Sequence, residues 1–145
     1  MAEVTGILLS QLNEGTKLPE IKRPVTQEKV RLYAEASGDF NPIHIDEDFA
    51  KKTPLGGTIA HGMLVLAYVS HMLTVAFGKS WLNSGKLDVR FRNPARMGDV
   101  LNSSGKITRV ERQDNETLVT CEILCRNQKG EAVISGGASV KLNPK

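Results

Sequence analysis

Gly62-Met-Leu-Val-Leu-Ala-Tyr-Val-Ser-His-Met-Leu-Thr-Val-Ala-Phe77, closed by Gly78, is the stretch whose reading decides the fold. Apolar side chains fall nearly all the way round it, which predicts a helix buried on most of its sides rather than one lying on a surface. At 1.5 Å per residue it runs about 24 Å. It is shorter than the ~20 residues a bilayer span needs, and it contains His71. The segment is therefore a core helix, and the rest of the chain must supply its covering layer.

Downstream, the period changes to that of strands. Leu87, Val89 and Phe91 alternate with Asp88, Arg90 and Arg92, and Val119, Cys121, Ile123 and Cys125 alternate with Thr120, Glu122 and Leu124. Ala132, Ile134, Gly136, Ala138, Val140 and Leu142 continue the pattern. Each run predicts a strand with one buried face. Residues 99–110 should form another, although their alternation is poor. Turn signals separate the strands at residues 96–99, 113–115 and 128–130. About four long antiparallel strands with one apolar face, and one buried helix, solve each other's burial problem. The expected class is α+β, with a long central helix wrapped by a curved antiparallel sheet.

Upstream, residues 4–18 have no clear period. Residues 17–24 carry prolines that suit an edge strand. Thr26 is a good N-cap for a helix whose stripe is Val30, Tyr33, Ala34 and Ser37, with Gly38 as its left-handed stop. Asp39 is thus delivered at the end of a helix. Asn41-Pro42 favours a turn, Asp46 can cap a short helix over residues 47–51, and Gly56-Gly57 breaks it. An acid and an imidazole, Asp39 and His44, face across this loop the His61-Gly62 pair that opens the core helix.

Size and composition narrow the class. The 145 residues, 40% hydrophobic and 24% charged, fit a single soluble domain over 1–145 without repeats. Residues 1–13 are too weakly hydrophobic for a signal segment, so a cytoplasmic, non-membrane protein is expected. A formal charge of +3 without a basic tail argues against nucleic-acid binding. Cys121 and Cys125 lie about 13 Å apart on one strand face, beyond the ~7 Å a disulfide tolerates, and read as buried thiols. Their C-x-x-x-C spacing, without further Cys or a nearby His, is a poor zinc signature, and no metal is expected.

Asp39-Phe-Asn41-Pro42-Ile-His44, with Asp46, Phe49 and Ala50 following and Ile59-Ala-His61-Gly62-Met63 beyond, resembles the active-site motif of the MaoC-like dehydratases. That family contains the R-specific enoyl-CoA hydratases and related 3-hydroxyacyl dehydratases. Val89-Arg-Phe91 and Gly98-Asp99 extend the likeness to most of the chain. The resemblance implies the HotDog fold, in agreement with the residue pattern. Leu55 and Thr58 depart from it, since similar enzymes often have Phe and Pro there; both fall in the loop before His61.

The resemblance implies a hydro-lyase: R-specific hydration of a trans-2-enoyl-CoA, or the reverse dehydration. Asp39 and His44 would move the protons, in an order left open, and the Gly62 N–H at the head of the core helix would stabilise negative charge on the thioester oxygen. Asn41 would position the water or His44. His61 and Ser70 would lie near the substrate, although His61 reads first as a structural cap of the helix, and core packing or a local hydroxyl bond suits Ser70 at least as well. Arg90 and Arg92, with Lys86 and Arg96 nearby, would meet coenzyme A phosphates or an acidic acyl carrier protein, or simply solvate the outer face. Coenzyme A enters as part of the substrate, with no separate cofactor and no metal. The exposed sheet edge calls for a homodimer, a heteromer remaining open. A thioesterase on the same fold is the alternative, weakened by the absence of Asp or Glu from Gly62 to Phe77. A non-catalytic partner subunit is another, weakened by the presence of Asp39, Asn41, His44 and Gly62.

Overall fold

The computed structural model describes residues 11–143; of the aperiodic stretch 4–18, residues 4–10 lie outside that range. The element order is β1 (Ile21–Pro24), α1 (Gln27–Ser37), α2 (Pro42–Ile45), α3 (Glu47–Lys51), α4 (Gly62–Phe77), α5 (Lys79–Ser84), β2 (Lys86–Phe91), β3 (Val100–Arg112), β4 (Thr117–Arg126) and β5 (Ala132–Leu142). The five strands form one antiparallel sheet in the order β1-β3-β4-β5-β2. Helix α4 lies against it. This is the HotDog arrangement, an α+β fold.

Burial explains why these residues take these places. Leu64, Val65, Val69, Met72, Leu73, Ala76 and Phe77 of α4 are buried against the inward residues of the sheet, among them Leu101, Ile107, Val119, Ile123 and Val140. The helix begins and ends where the sequence pattern put it, with Gly78 as its stop. One stripe stays open: Gly62, Met63, Ala67 and His71 are exposed. Thr26 caps α1 by accepting the Lys29 N–H, and Gly38 closes it at φ 77°. On α1 only Val30 and Ala34 are buried; Ser37, at the end of the expected stripe, is exposed.

Three local features depart from the alternation. Phe91, expected inside, is 54% exposed because β2 ends there and the ring stands at the mouth of the fold. In β5 both Val133 and Ile134 are buried, since the β4–β5 register shifts between Cys125 and Arg126. A second shift between Ile107 and Arg109 accounts for the poor alternation of β3. Helix α5 had no period to announce it; its buried Trp81 anchors it to α4.

β2 is able to lie against β5 because Gly136 has no side chain. Its φ is 155°, and an added Cβ would stand 2.2 Å from the Asp88 carbonyl oxygen. The small residue therefore serves close strand approach.

Candidate active site

The site is assembled from helix ends. Past Gly38 the chain enters two successive short turns. Asp39 Oδ1 accepts the Asn41 N–H at 3.2 Å, and Asn41 Oδ1 accepts the Ile43 N–H at 3.2 Å. The second bond caps α2, whose first residue is Pro42, a position where the missing N–H is harmless. Asn41 therefore uses its carbonyl oxygen on the backbone and has its amide nitrogen left for a ligand. Asp46 then caps α3 by accepting the Phe49 N–H.

Within α2, His44 is 7% exposed. Its Nδ1 lies 2.8 Å from the Ile59 carbonyl oxygen. A carbonyl only accepts, so Nδ1 carries the proton and the Nε2 of the neutral ring presents its lone pair. That atom stands 4.0 Å from Asp39 Oδ2, while the Asp39 side chain is 53% exposed. The gap is too long for a direct hydrogen bond. It suits one water donating to both atoms: two bonds of about 2.8 Å across it subtend about 90° at the water oxygen, close to the angle between its O–H bonds.

His61 lies beneath this pair at 2% exposure. Its ring stacks on His44 at 3.9 Å between centroids and 25° between planes, with Tyr33 tilted against it at 4.8 Å. Its Nε2 donates to the Asp39 carbonyl oxygen at 3.0 Å, and its Nδ1 is buried without a partner. As the N-cap of α4 it makes no side-chain cap bond. Asp39, His44 and His61 offer ligand atoms within 4.8 Å of one another. The two imidazoles stack face to face, however, so the in-plane lone pairs of His44 Nε2 and His61 Nδ1 lie in two stacked planes 25° apart rather than meeting at one point as a metal cage requires.

Gly62 follows as the first residue of α4, where the N–H has no acceptor within the helix and the helix dipole favours negative charge. A cleft of about 240 Å³ runs beside it, lined by Ile59, Ala60, Val65, Phe91, Arg92 and Val133 among others. The Phe91 ring forms its near wall: a Cβ added at Gly62 would meet Phe91 Cε1 at 3.0 Å. Arg92 sits at this cleft with its Nε donating to Ser135 Oγ, and Arg90 is exposed on β2. Ser70 lies two turns up α4, about 12 Å along the axis from Gly62. Its hydroxyl accepts the Trp81 indole N–H at 3.0 Å.

The expected residues thus fall into three places: Asp39, Asn41, His44 and His61 in one cluster, Gly62 with Arg92 at the cleft, and Ser70 and Arg90 outside both. Sequence reasoning missed Gln27 and Glu47. Gln27 Nε2 donates to the His44 carbonyl oxygen at 2.9 Å, and Glu47 Oε2 accepts the Thr58 N–H at 3.0 Å. The Thr58 N–H, and then its hydroxyl, hold the Glu47 carboxyl below its ordinary value. Thr58, noted as a departure in the loop, is 3% exposed. The one sequence signal for this contact is Gly57, where a Cβ would stand 3.1 Å from Glu47 Oε1.

Comparison with known proteins supplies the family. A family model described as the MaoC like domain matches residues 10–126. A 3-hydroxybutyryl-CoA dehydratase of Methylorubrum extorquens is 30% identical over 131 residues, covering 86% of this chain and 78% of that protein. An (R)-specific enoyl-CoA hydratase of Rhodospirillum rubrum is 29% identical over 125 residues, covering 84% and 83%. Among solved structures, the R-hydratase PhaJ1 from Pseudomonas aeruginosa, unliganded, superposes with a TM-score of 0.78 at 28% identity, covering 94% of this chain and 84% of that one.

Proposed function

The chain belongs to the MaoC-like dehydratase family, and on that premise we propose that it is a hydro-lyase interconverting trans-2-enoyl and (R)-3-hydroxyacyl thioesters. The observation that carries the mechanism is the 4.0 Å gap between His44 Nε2 and Asp39 Oδ2, with the imidazole proton held on Nδ1 by its bond to the Ile59 carbonyl. A water held across that gap keeps its oxygen lone pairs for C3 of the enoyl group. As the C3–O bond forms, one O–H proton passes to His44 or Asp39, and electrons move through C2 onto the thioester oxygen. The Gly62 N–H receives that charge. The enolate then collapses and C2 takes up the captured proton, so the enzyme ends as it began. Dehydration runs the same steps backwards.

Support for the carrier end is electrostatic. Arg92 at the cleft and Arg90 on β2 suit the phosphates of a coenzyme A or carrier-protein arm. Coenzyme A is then part of the substrate, and the chemistry needs no metal or separate cofactor. A homodimer suits β2, an edge strand that ends in the exposed Phe91. A cytoplasmic location fits such a substrate; among the described residues no helix is long and apolar enough to cross a membrane.

The test is hydration of crotonyl-CoA and longer enoyl-CoAs, followed by loss of the conjugated thioester absorbance, with chiral analysis of the product. Asp39→Asn and His44→Ala should each lower kcat by about a hundred- to ten-thousandfold in a protein that still folds, with the melting curve unchanged in Asp39→Asn and lowered in His44→Ala, which loses a buried bond and a ring stack. Near-wild-type turnover by both variants, or an (S) product, refutes the assignment. Parallel assays with enoyl groups on carrier protein separate the two carriers.

A further inference from the structure

His44 rides on a helix of four residues and depends on outside contacts for its orientation. Besides a long bond from Arg31 Nη2 to the Ile45 carbonyl at 3.5 Å, three bonds hold the unit. Ile59 accepts from the ring at Nδ1, the Ile59 N–H donates to the Ile43 carbonyl at 3.1 Å, and Gln27 Nε2 donates to the His44 carbonyl at 2.9 Å. The Ile59 and Gln27 contacts converge on one side chain. Thr58 precedes Ile59, and its hydroxyl lies 3.0 Å from Gln27 Oε1 and 2.8 Å from Glu47 Oε2. Its own N–H donates to the same Glu47 oxygen at 3.0 Å.

We propose that Thr58 is a positioning residue for the acid–base pair: clamped between Glu47 and Gln27, it holds the Ile59 carbonyl on His44 Nδ1 and so keeps Nε2 turned to Asp39. Only one hydroxyl proton serves two acceptors, so it is shared between a carboxylate and an amide oxygen, and the charged acceptor gives the stronger bond. The geometry depends on Thr58 being 3% exposed, since water would otherwise compete for its hydroxyl and N–H. Gln27 cannot turn over without facing its oxygen to the His44 carbonyl, which fixes its amide orientation and with it the acceptor offered to Thr58. Leu or Val at position 58 would leave Gln27 Oε1 without its donor. Proline would remove the N–H that Glu47 takes. This role rests on the hydratase reading for its effect on turnover, and not for its effect on the imidazole.

The experiment measures the ring tautomer of His44 by two-bond ¹H–¹⁵N correlation at pH 8, together with steady-state hydration of crotonyl-CoA. The unaltered protein should show the Nδ1–H form. Thr58→Val should shift His44 toward a mixture of tautomers and lower kcat about ten- to a hundredfold with KM within about twofold, a loss of alignment rather than of substrate binding. Thr58→Ser should restore both. Glu47→Ala, at an exposed position where folding is not at stake, should move both readouts in the direction of Thr58→Val, and it decides the matter if the valine variant fails to fold. A pure Nδ1–H signal with wild-type kcat in Glu47→Ala and any folded Thr58→Val overturns the clamp, as does a fall in kcat with no change of tautomer. No turnover by the unaltered protein counts against the reaction assigned above, and the tautomer measurement alone then decides the clamp.

Discussion

Replacing Gly62 by Ala separates the oxyanion role proposed for this position from its structural one. Gly62 has an ordinary negative φ, so the backbone accepts alanine without strain. The added methyl carbon would lie 3.0 Å from Phe91 Cε1 and 3.3 Å from Cδ1. Those atoms belong to a ring that is 54% exposed and free to swing by the few tenths of an ångström required. Against that small cost, alanine in a helix gains up to about 0.5–1 kcal/mol over glycine, less in the first turn. The two effects nearly cancel, so the melting temperature should move by no more than about 3 °C. Turnover should respond very differently, because the methyl enters the cleft where, on the proposed mechanism, the thioester oxygen reaches the Gly62 N–H. Loss of one such donor lowers kcat about a hundred- to a thousandfold. Hydration of crotonyl-CoA and a far-UV melting curve on the same sample provide both numbers. Adding Phe91→Ala should not restore the rate, since the obstruction is the methyl and not the displaced ring. Gly62→Ala turning over within threefold of the unaltered protein refutes the oxyanion role, and recovery in the double variant would move the cause to Phe91.

Three further outcomes follow from particular side chains. Gly136→Ala should destabilise by about 3 kcal/mol or more in urea titrations, because the new Cβ would be 2.2 Å from the Asp88 carbonyl oxygen at a φ of 155°; a cost under about 1 kcal/mol would show that β2 has room to retreat. Burial pushes the Cys121 thiol up to about 12 and raises Cys125 as well, so neither should react with a disulfide reagent at pH 8 until the protein unfolds; native-state reaction with two thiols contradicts their burial. The Glu47 carboxyl is held below its ordinary value of 4.5 first by the Thr58 N–H, then by the Thr58 hydroxyl, with Lys51 a smaller influence. A depressed folded-state value means the stabilisation is complete above the unfolded-state value and disappears as pH falls through the folded one. Thermal melts from pH 6 to 3 should therefore show a shallower acid-side decline in Glu47→Ala than in the unaltered protein, and parallel curves would remove Glu47 from the acid response.

What the sequence made legible was whatever repeats along the chain. The limits of α4 follow from an unbroken apolar run ended by Gly78, and β4 from the alternation of Val119, Cys121, Ile123 and Cys125, all four buried. Asp39 and His44 come together because they share one short loop. Contacts between distant polar residues leave no such trace. Gln27, Glu47 and Thr58 look like surface residues in a linear reading, yet they meet across 11 and 31 positions. Val133 was hidden for a related reason: a register shift makes it inward-facing along with Ile134, against the period of its strand. Phe91 obeys the period and is exposed all the same, since parity determines a side chain's face but not how far the cover extends.

The four-residue length of α2 has a thermal consequence. A single turn has no helical stability of its own and persists only while its tertiary bonds do. Its opening requires the release of the Gln27 and Ile59 contacts, a far smaller event than separating the strands β3, β4 and β5. On heating, the imidazole should leave its station while the sheet is still intact. Inactivation should then precede melting, and cooling should restore activity without refolding. With His44 in its proposed role, the turn that carries it should set the temperature up to which the protein works, and the sheet the temperature it survives.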